Sequence, residues 1–121
     1  MAKTILVVDD SAVMRQLIST ALAEAEYHIL LAADGQAAVK QAEQRAADLV
    51  LTDWNMPVMG GNQLIRALRH LPSYAKTPIL VLTTEASDAE KAEARQAGAS
   101  GWLRKPIEPS TLLEVVGSLL Q

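Results

Sequence analysis

Five residues of this 121-residue chain carry side chains that could do chemistry together: Asp9, Asp10, Asp53, Thr83 and Lys105. Asp9 and Asp10 are adjacent and close the apolar run "ILVV". Two unit negative charges about 4 Å apart repel by roughly 4 kcal/mol at an effective dielectric near 20. A third carboxylate beside them would resist ionisation unless a cation intervened. A hard Mg²⁺ accepts oxygen ligands at about 2.0–2.1 Å and keeps several waters. Two carboxylates, a backbone carbonyl near Asn55 and waters would fill its octahedron, with one position left for a phosphoryl oxygen. Asp53 is then a candidate nucleophile of aspartyl-phosphate chemistry. Thr83 and Lys105, opposite the metal, could bind the other phosphoryl oxygens and offset the charge spread over them in transfer.

Each residue has a plainer reading. Asp10 or Ser11 could cap a helix, Asp53 could cap a turn before Pro57, Thr83 could be an ordinary strand residue, and Lys105 a solvated charge. What unites them is the elements that must position them. Thr4–Val8, His28–Ala32, Asp48–Thr52, Pro78–Leu82 and Gly101–Arg104 are short, mostly apolar runs rich in Val, Ile and Leu. They read as strands buried on both faces, the pattern of a parallel sheet. Between them lie helical patterns: Met14, Leu17, Ile18, Ala21, Leu22 and Ala25 form one apolar stripe, and Leu112, Val115, Val116, Leu119 and Leu120 another. Asp34, and Ser87 with Glu90, read as N-caps; Gly98 reads as a stop and Pro109 as a first turn. The sum is five β–α repeats in one doubly wound α/β domain. In such sheets ligands bind at the carboxyl ends of the strands. All five polar groups fall at that end, on four different strands.

Composition narrows the classes further. Half the residues are apolar, yet there are two Trp, two Tyr and no Phe, so Leu, Val, Ile and Ala must build the core. A net charge of −3 argues against nucleic acid as ligand. With no cysteine there is no disulfide framework, thiolate metal site or cysteine nucleophile. No run approaches the roughly 20 apolar residues of a membrane span, and the first residues lack the parts of a signal peptide. The expectation is a soluble cytoplasmic domain spanning residues 1–121.

At these residues the sequence resembles the response-regulator receiver domain of two-component signalling. The segments "VVDDS", "LTDWNMPVMGG", "LTTEAS" and "AGASGWLRKP" carry the likeness over essentially the whole chain, and within the family the stand-alone chemotaxis regulators are nearest. The resemblance implies a (βα)5 flavodoxin-like fold, strand order 2-1-3-4-5, with helices on both faces. It implies Asp53 as phosphoacceptor, Asp10 as direct Mg²⁺ ligand, Asp9 acting through bound water, and the Asn55 carbonyl on the metal. Thr83 would be the switch hydroxyl and Lys105 its cationic partner, with a cis Lys105–Pro106 bond. Trp102 falls at the switch aromatic, where Tyr or Phe is usual; the bulkier ring is harder to turn inward. Gly60 stands where many members carry Asp, and Asn62 could supply the missing acceptor.

The implied partners are a sensor histidine kinase of the CheA-like type and a downstream target such as a flagellar motor switch component, with output by protein binding. The output face would be the fourth helix, fifth strand and fifth helix. A phosphorelay intermediate, or a regulator of another motility or adhesion system, would look similar. Asn55 and Glu85 imply comparatively quick loss of phosphate. Apart from phosphorylating and dephosphorylating itself, such a domain is not an enzyme. An Mg²⁺-dependent aspartyl-phosphate phosphatase needs an acid two residues after its nucleophile, and Asn55 cannot serve. An FMN binder of the same fold presents hydroxyls and amides to a phosphate, which Asp9 and Asp10 would repel. A degenerate receiver used only for binding does not account for the filled active-site positions.

Overall fold

The computed structural model describes residues 2–84 and 87–120. Five strands, β1 (Thr4–Val8), β2 (His28–Ala32), β3 (Leu49–Asp53), β4 (Ile79–Thr83) and β5 (Gly101–Arg104), alternate with five helices. The helices are α1 (Ala12–Ala23), α2 (Gly35–Gln44), α3 (Gly61–Arg69), α4 (Asp88–Ala97) and α5 (Pro109–Leu119). All strands pair in parallel, in the order β2-β1-β3-β4-β5. This is the flavodoxin-like arrangement expected from the sequence.

Alternation along each strand divides the core. Leu6 and Val8 of β1 face a cluster with Ala38, Ala42, Leu64, Ile65, Leu68, Tyr74 and Ala94, which belong mainly to α2, α3 and α4. Ile5 and Val7 face the opposite cluster, with Ile18, Leu22, Leu112 and Val116 of α1 and α5. Alanines at the helix contacts let the backbones lie close to the sheet. Only the three inner strands are sealed on both faces. The outer strands β2 and β5 are half-exposed, contrary to the expectation of strands buried throughout, because each has a neighbour on one side only.

The structure differs from the sequence reading at several places. β3 and β4 start and end one residue later than expected. Asp48 N–H donates to Thr4 O at 2.7 Å and Pro78 O accepts from Val50 N–H at 3.0 Å, so both residues still bond across the sheet just before their strands begin; the Asp48 carboxylate also accepts the Thr4 N–H at 2.8 Å. Asp53 and Thr83 become the last residues of their strands. Leu17 is not core: it is 56% exposed on the outer edge of the α1 stripe. Ala25 lies beyond the end of α1 and is also exposed. A short 3-10 turn at Pro72–Tyr74, unanticipated from sequence, seats the fully buried Tyr74. The Tyr74 hydroxyl donates to Arg45 O at 2.8 Å and accepts from Ala47 N–H at 2.9 Å.

The caps follow the sequence more closely. Ser11, not Asp10, caps α1 by accepting the Met14 N–H. Asp34 caps α2, Ser87 and Glu90 form a capping box on α4, Gly98 ends α4 at φ 117°, and Pro109 opens α5. At α3 the N-cap is Gly60, with no side-chain bond. Asn62 does not replace the missing acceptor. Its Oδ1 accepts from Arg66 Nε at 2.8 Å and its amide donates to Glu93 across the α3–α4 contact.

Candidate functional site

The order of strands reverses at β1, whose neighbours β2 and β3 leave it in opposite directions, the point over which open α/β sheets form their ligand crevice. Asp9 sits at its floor, fully buried, and every polar atom it carries is engaged. Its N–H donates to Ala32 O at 3.1 Å, extending the β1–β2 pairing one residue past the strand. Oδ1 accepts from Ser11 N–H at 2.9 Å and Oδ2 from Lys105 Nζ at 2.9 Å. Its carbonyl accepts from Arg15 Nη1 at 2.7 Å. Asp10, next in the chain, is exposed, and its carboxylate has no partner among the described residues. The adjacent acids are therefore physically unlike. One is locked; the other is presented.

Asp53 ends β3 with its carboxylate turned into the same crevice, its side chain 14% exposed. Oδ1 accepts from Trp54 N–H at 2.8 Å and lies 3.5 Å from Lys105 Nζ. Burial pushes the Asp53 carboxyl above its ordinary range, and the Asp9 charge adds to that. Lys105 and the Trp54 N–H work against the rise without cancelling it. Lys105 is positioned by its own backbone, whose N–H donates to Thr83 O at 2.8 Å, and the following Lys105–Pro106 bond is cis. Thr83 closes β4 and is 5% exposed.

Asn55 lies exposed in the loop after β3. That loop is drawn back by Gly61 N–H donating to Trp54 O at 2.8 Å, an approach that needs glycine, since a Cβ there would stand 2.8 Å from Asp53 O. Within the loop Met59 N–H reaches Pro57 O at 2.7 Å, and this tight turn holds Val58 at φ 69° with 75% of it exposed. Trp102 is half-buried in β5. It lines a narrow crevice with Trp54, Val81, Thr83 and Ala94, while Lys91 Nζ and Arg95 Cζ of α4 lie 5.3 and 5.4 Å from its ring centre.

One carboxylate oxygen from each of Asp9, Asp10 and Asp53 falls within 4.8 Å of the others. Oxygens sharing an octahedral Mg²⁺ stand about 3–4 Å apart, given bonds of about 2.0–2.1 Å. The cluster is thus slightly wider than a hard-cation site, all-oxygen in its donors, and short of positive charge. The residues present fit Mg²⁺.

A family model for the response regulator receiver domain matches residues 5–117. The chain belongs to the response-regulator receiver family. Receivers of this family are phosphorylation-activated signalling switches, not general enzymes. The chain is 38% identical over 112 residues to the chemotaxis protein CheY1 of Helicobacter pylori, spanning 91% of this chain and 90% of that one. Its structure superposes on the chemotaxis protein CheY4 of Vibrio cholerae with a TM-score of 0.96 at 42% identity, covering 99% and 100% of the two chains. A receiver domain of the sensor histidine kinase PA1611 from Pseudomonas aeruginosa, solved with magnesium in its active-site cleft, matches at 30% identity and a TM-score of 0.91, covering 99% and 98%. Among the described residues no helix of this receiver is long and apolar enough to cross a membrane.

The five residues singled out by type and spacing do converge on one rim. Glu85 lies outside the described residues. Sequence reading passed over Arg15, Lys91 and Arg95. For Arg15 a signal existed: a cation in the N-terminal part of a helix opposes the macrodipole and needs a local partner. Lys91 and Arg95 gave none, because their meeting with Trp102 depends on where α4 lies over β5.

Proposed function

We propose that this receiver accepts a phosphoryl group from a histidine kinase onto Asp53 in the presence of Mg²⁺ and signals by binding another protein. The observation that carries the reading is the Asp53 carboxylate, gathered with Asp9 and Asp10 and 3.5 Å from Lys105 at the end of an inner strand. A carboxylate oxygen of Asp53 attacks phosphorus, the N–P bond of a phosphohistidine breaks, and its electron pair returns to the imidazole nitrogen. Hydrolysis later breaks the new O–P bond, restoring the carboxylate and releasing phosphate. Mg²⁺, held by Asp10, Asp53 and the Asn55 carbonyl, with Asp9 acting through water, would neutralise charge on the phosphoryl oxygens. Thr83 at the end of β4 and Lys105 just past β5 would bind those oxygens. Burial that raises the Asp53 carboxyl also makes it a more basic nucleophile than a solvated aspartate.

The new bonds would bias Thr83 and Trp102 toward an active arrangement and so alter the α4–β5–α5 face. The relatives named for chemotaxis favour control of a flagellar motor, through a CheA-like kinase in the cytoplasm, over a phosphorelay. Intact-mass measurement after incubation with acetyl phosphate, with and without Mg²⁺, tests the chemistry. One phosphoryl group should be gained, only with Mg²⁺, and not by Asp53→Asn. No gain under conditions that label another receiver would end the reading.

A further inference from the structure

We propose that Arg15 is a positioning residue for the metal site, acting through the peptide bond between Asp9 and Asp10. The proposal rests on the phosphoswitch reading above and names a part that neither type nor spacing had singled out. Arg15 lies on the fourth helical position after the Ser11 cap of α1. A cation there faces the positive end of the helix, an unfavourable place unless something specific holds it. What holds it is the Asp9 carbonyl, 2.7 Å from Arg15 Nη1.

That bond completes an asymmetric arrangement. The Asp9 N–H is tied to Ala32 O and its two carboxylate oxygens to Ser11 N–H and Lys105 Nζ. The Asp10 carboxylate, by contrast, has no partner among the described residues. With no such partner, the direction in which it leaves the chain is set by the backbone that carries it, and its rotamer does the rest. The plane of the Asp9–Asp10 peptide fixes where the Asp10 side chain leaves the chain, and Arg15 grips that plane by its oxygen. Asp10 is thereby held toward Asp9 and Asp53, within the 4.8 Å cluster, without a bond that a metal would have to displace. Outer partners that orient a metal ligand are commonly worth about 10–100-fold in metal affinity.

The sign of the effect separates this role from two others. If Arg15 were simply a nearby positive charge, removing it would tighten Mg²⁺ binding by relieving repulsion. If it only supported the fold, removing it would lower the melting temperature of the metal-free protein and leave Mg²⁺ affinity alone. Positioning predicts that Arg15→Met, which keeps the apolar stem, weakens Mg²⁺ binding by about tenfold or more. Arg15→Lys, charged but shorter in reach, should fall between that variant and the wild type. The measurement is calorimetric titration of the full chain with MgCl2, with metal-free thermal unfolding alongside. Unchanged or tighter binding by Arg15→Met overturns the proposal. Should that variant fail to fold, Arg15→Lys decides, and wild-type affinity in it overturns the proposal equally. A wild-type chain that takes up no Mg²⁺ would instead remove the phosphoswitch reading itself, and the role of Arg15 with it.

Discussion

Replacing Lys105 with methionine removes the ammonium that lies 2.9 Å from Asp9 Oδ2 and 3.5 Å from Asp53 Oδ1. The stem stays, so little packing is lost. At an effective dielectric near 20, a unit charge pair at the shorter distance attracts by about 6 kcal/mol, most of it offset by the desolvation already incurred. Removing one partner of such a pair leaves the other buried and uncompensated, which costs roughly 3–5 kcal/mol. Asp9 is in that position, its side chain 1% exposed, while Lys105 keeps some contact with water at 12%. The lower end, about 3 kcal/mol, is therefore appropriate. An unfolding entropy of about 2.1 cal/mol/K per residue gives roughly 0.25 kcal/mol/K for this chain, and hence a fall of about 12 °C in the metal-free melting temperature. Mg²⁺ should raise the melting temperature of Lys105→Met more than that of the wild type, because three carboxylates have lost a competing cation. The double variant Asp9→Asn, Lys105→Met should lose less than the two single losses added. Differential scanning calorimetry in chelator and in MgCl2 reads all of these. A metal-free fall of under about 4 °C would refute the claim that Lys105 compensates a buried charge, since that is the shift expected from about 1 kcal/mol.

Other consequences are as concrete. Asp53→Asn should raise the metal-free melting temperature at neutral pH, because burial disfavours the ionised Asp53 carboxyl. The sign follows from the raised folded-state value: the wild type is penalised above it, so the gap should close as pH falls through it, and a gap that widens toward acid would contradict the assignment. Val58→Asn should stabilise by about 1 kcal/mol, since a β-branched residue at positive φ is strained and asparagine tolerates that region; denaturant midpoints would report it. Gly61→Ala should destabilise by about 1–3 kcal/mol and slow acetyl-phosphate labelling, because the added Cβ presses on Asp53 O and Trp54 Cα. Tyr74→Phe should cost about 2 kcal/mol without affecting labelling, as it orphans the Ala47 N–H and Arg45 carbonyl far from the crevice.

Much of this architecture is written locally. Runs such as "ILVV" and "ILVL" are too short for helices and too apolar for a one-sided sheet, so strands, parallel pairing and a functional rim followed from them. The caps at Asp34, Ser87 and Gly98 were legible for the same reason, since each is a contact within a few residues. What escaped depends on distant parts of the chain. Leu17 belongs to the periodic stripe, but period alone does not say how wide a stripe the sheet and α5 can cover. Asn62 looked like a spare cap until α4 offered it Glu93. The strand ends shifted by one because Asp53 and Thr83 find partners across the sheet, opposite Leu82 and Arg104. Within the site, convergence could be read from strand ends, whereas the inequality of Asp9 and Asp10 required the positions of Lys105 and Arg15.

The Arg69 guanidinium donates to the carbonyls of Tyr74, Thr77 and Gly98, at 2.7 Å in each case, and so fastens the C-terminal end of α4 to α3 and the turn beside it. Gly98 admits this because it has no side chain to meet Arg69; a Cβ there would stand 3.0 Å from Arg69 Cγ. The start of α4 is held by its own capping box. A ten-residue helix is about 15 Å long, so the Gly98 clamp and the Ser87 end stand about 15 Å apart, with the Asn62–Glu93 contact between them. A displacement arising near Thr83 would reach α4 at the end away from that clamp, with the Asn62–Glu93 contact standing between the two.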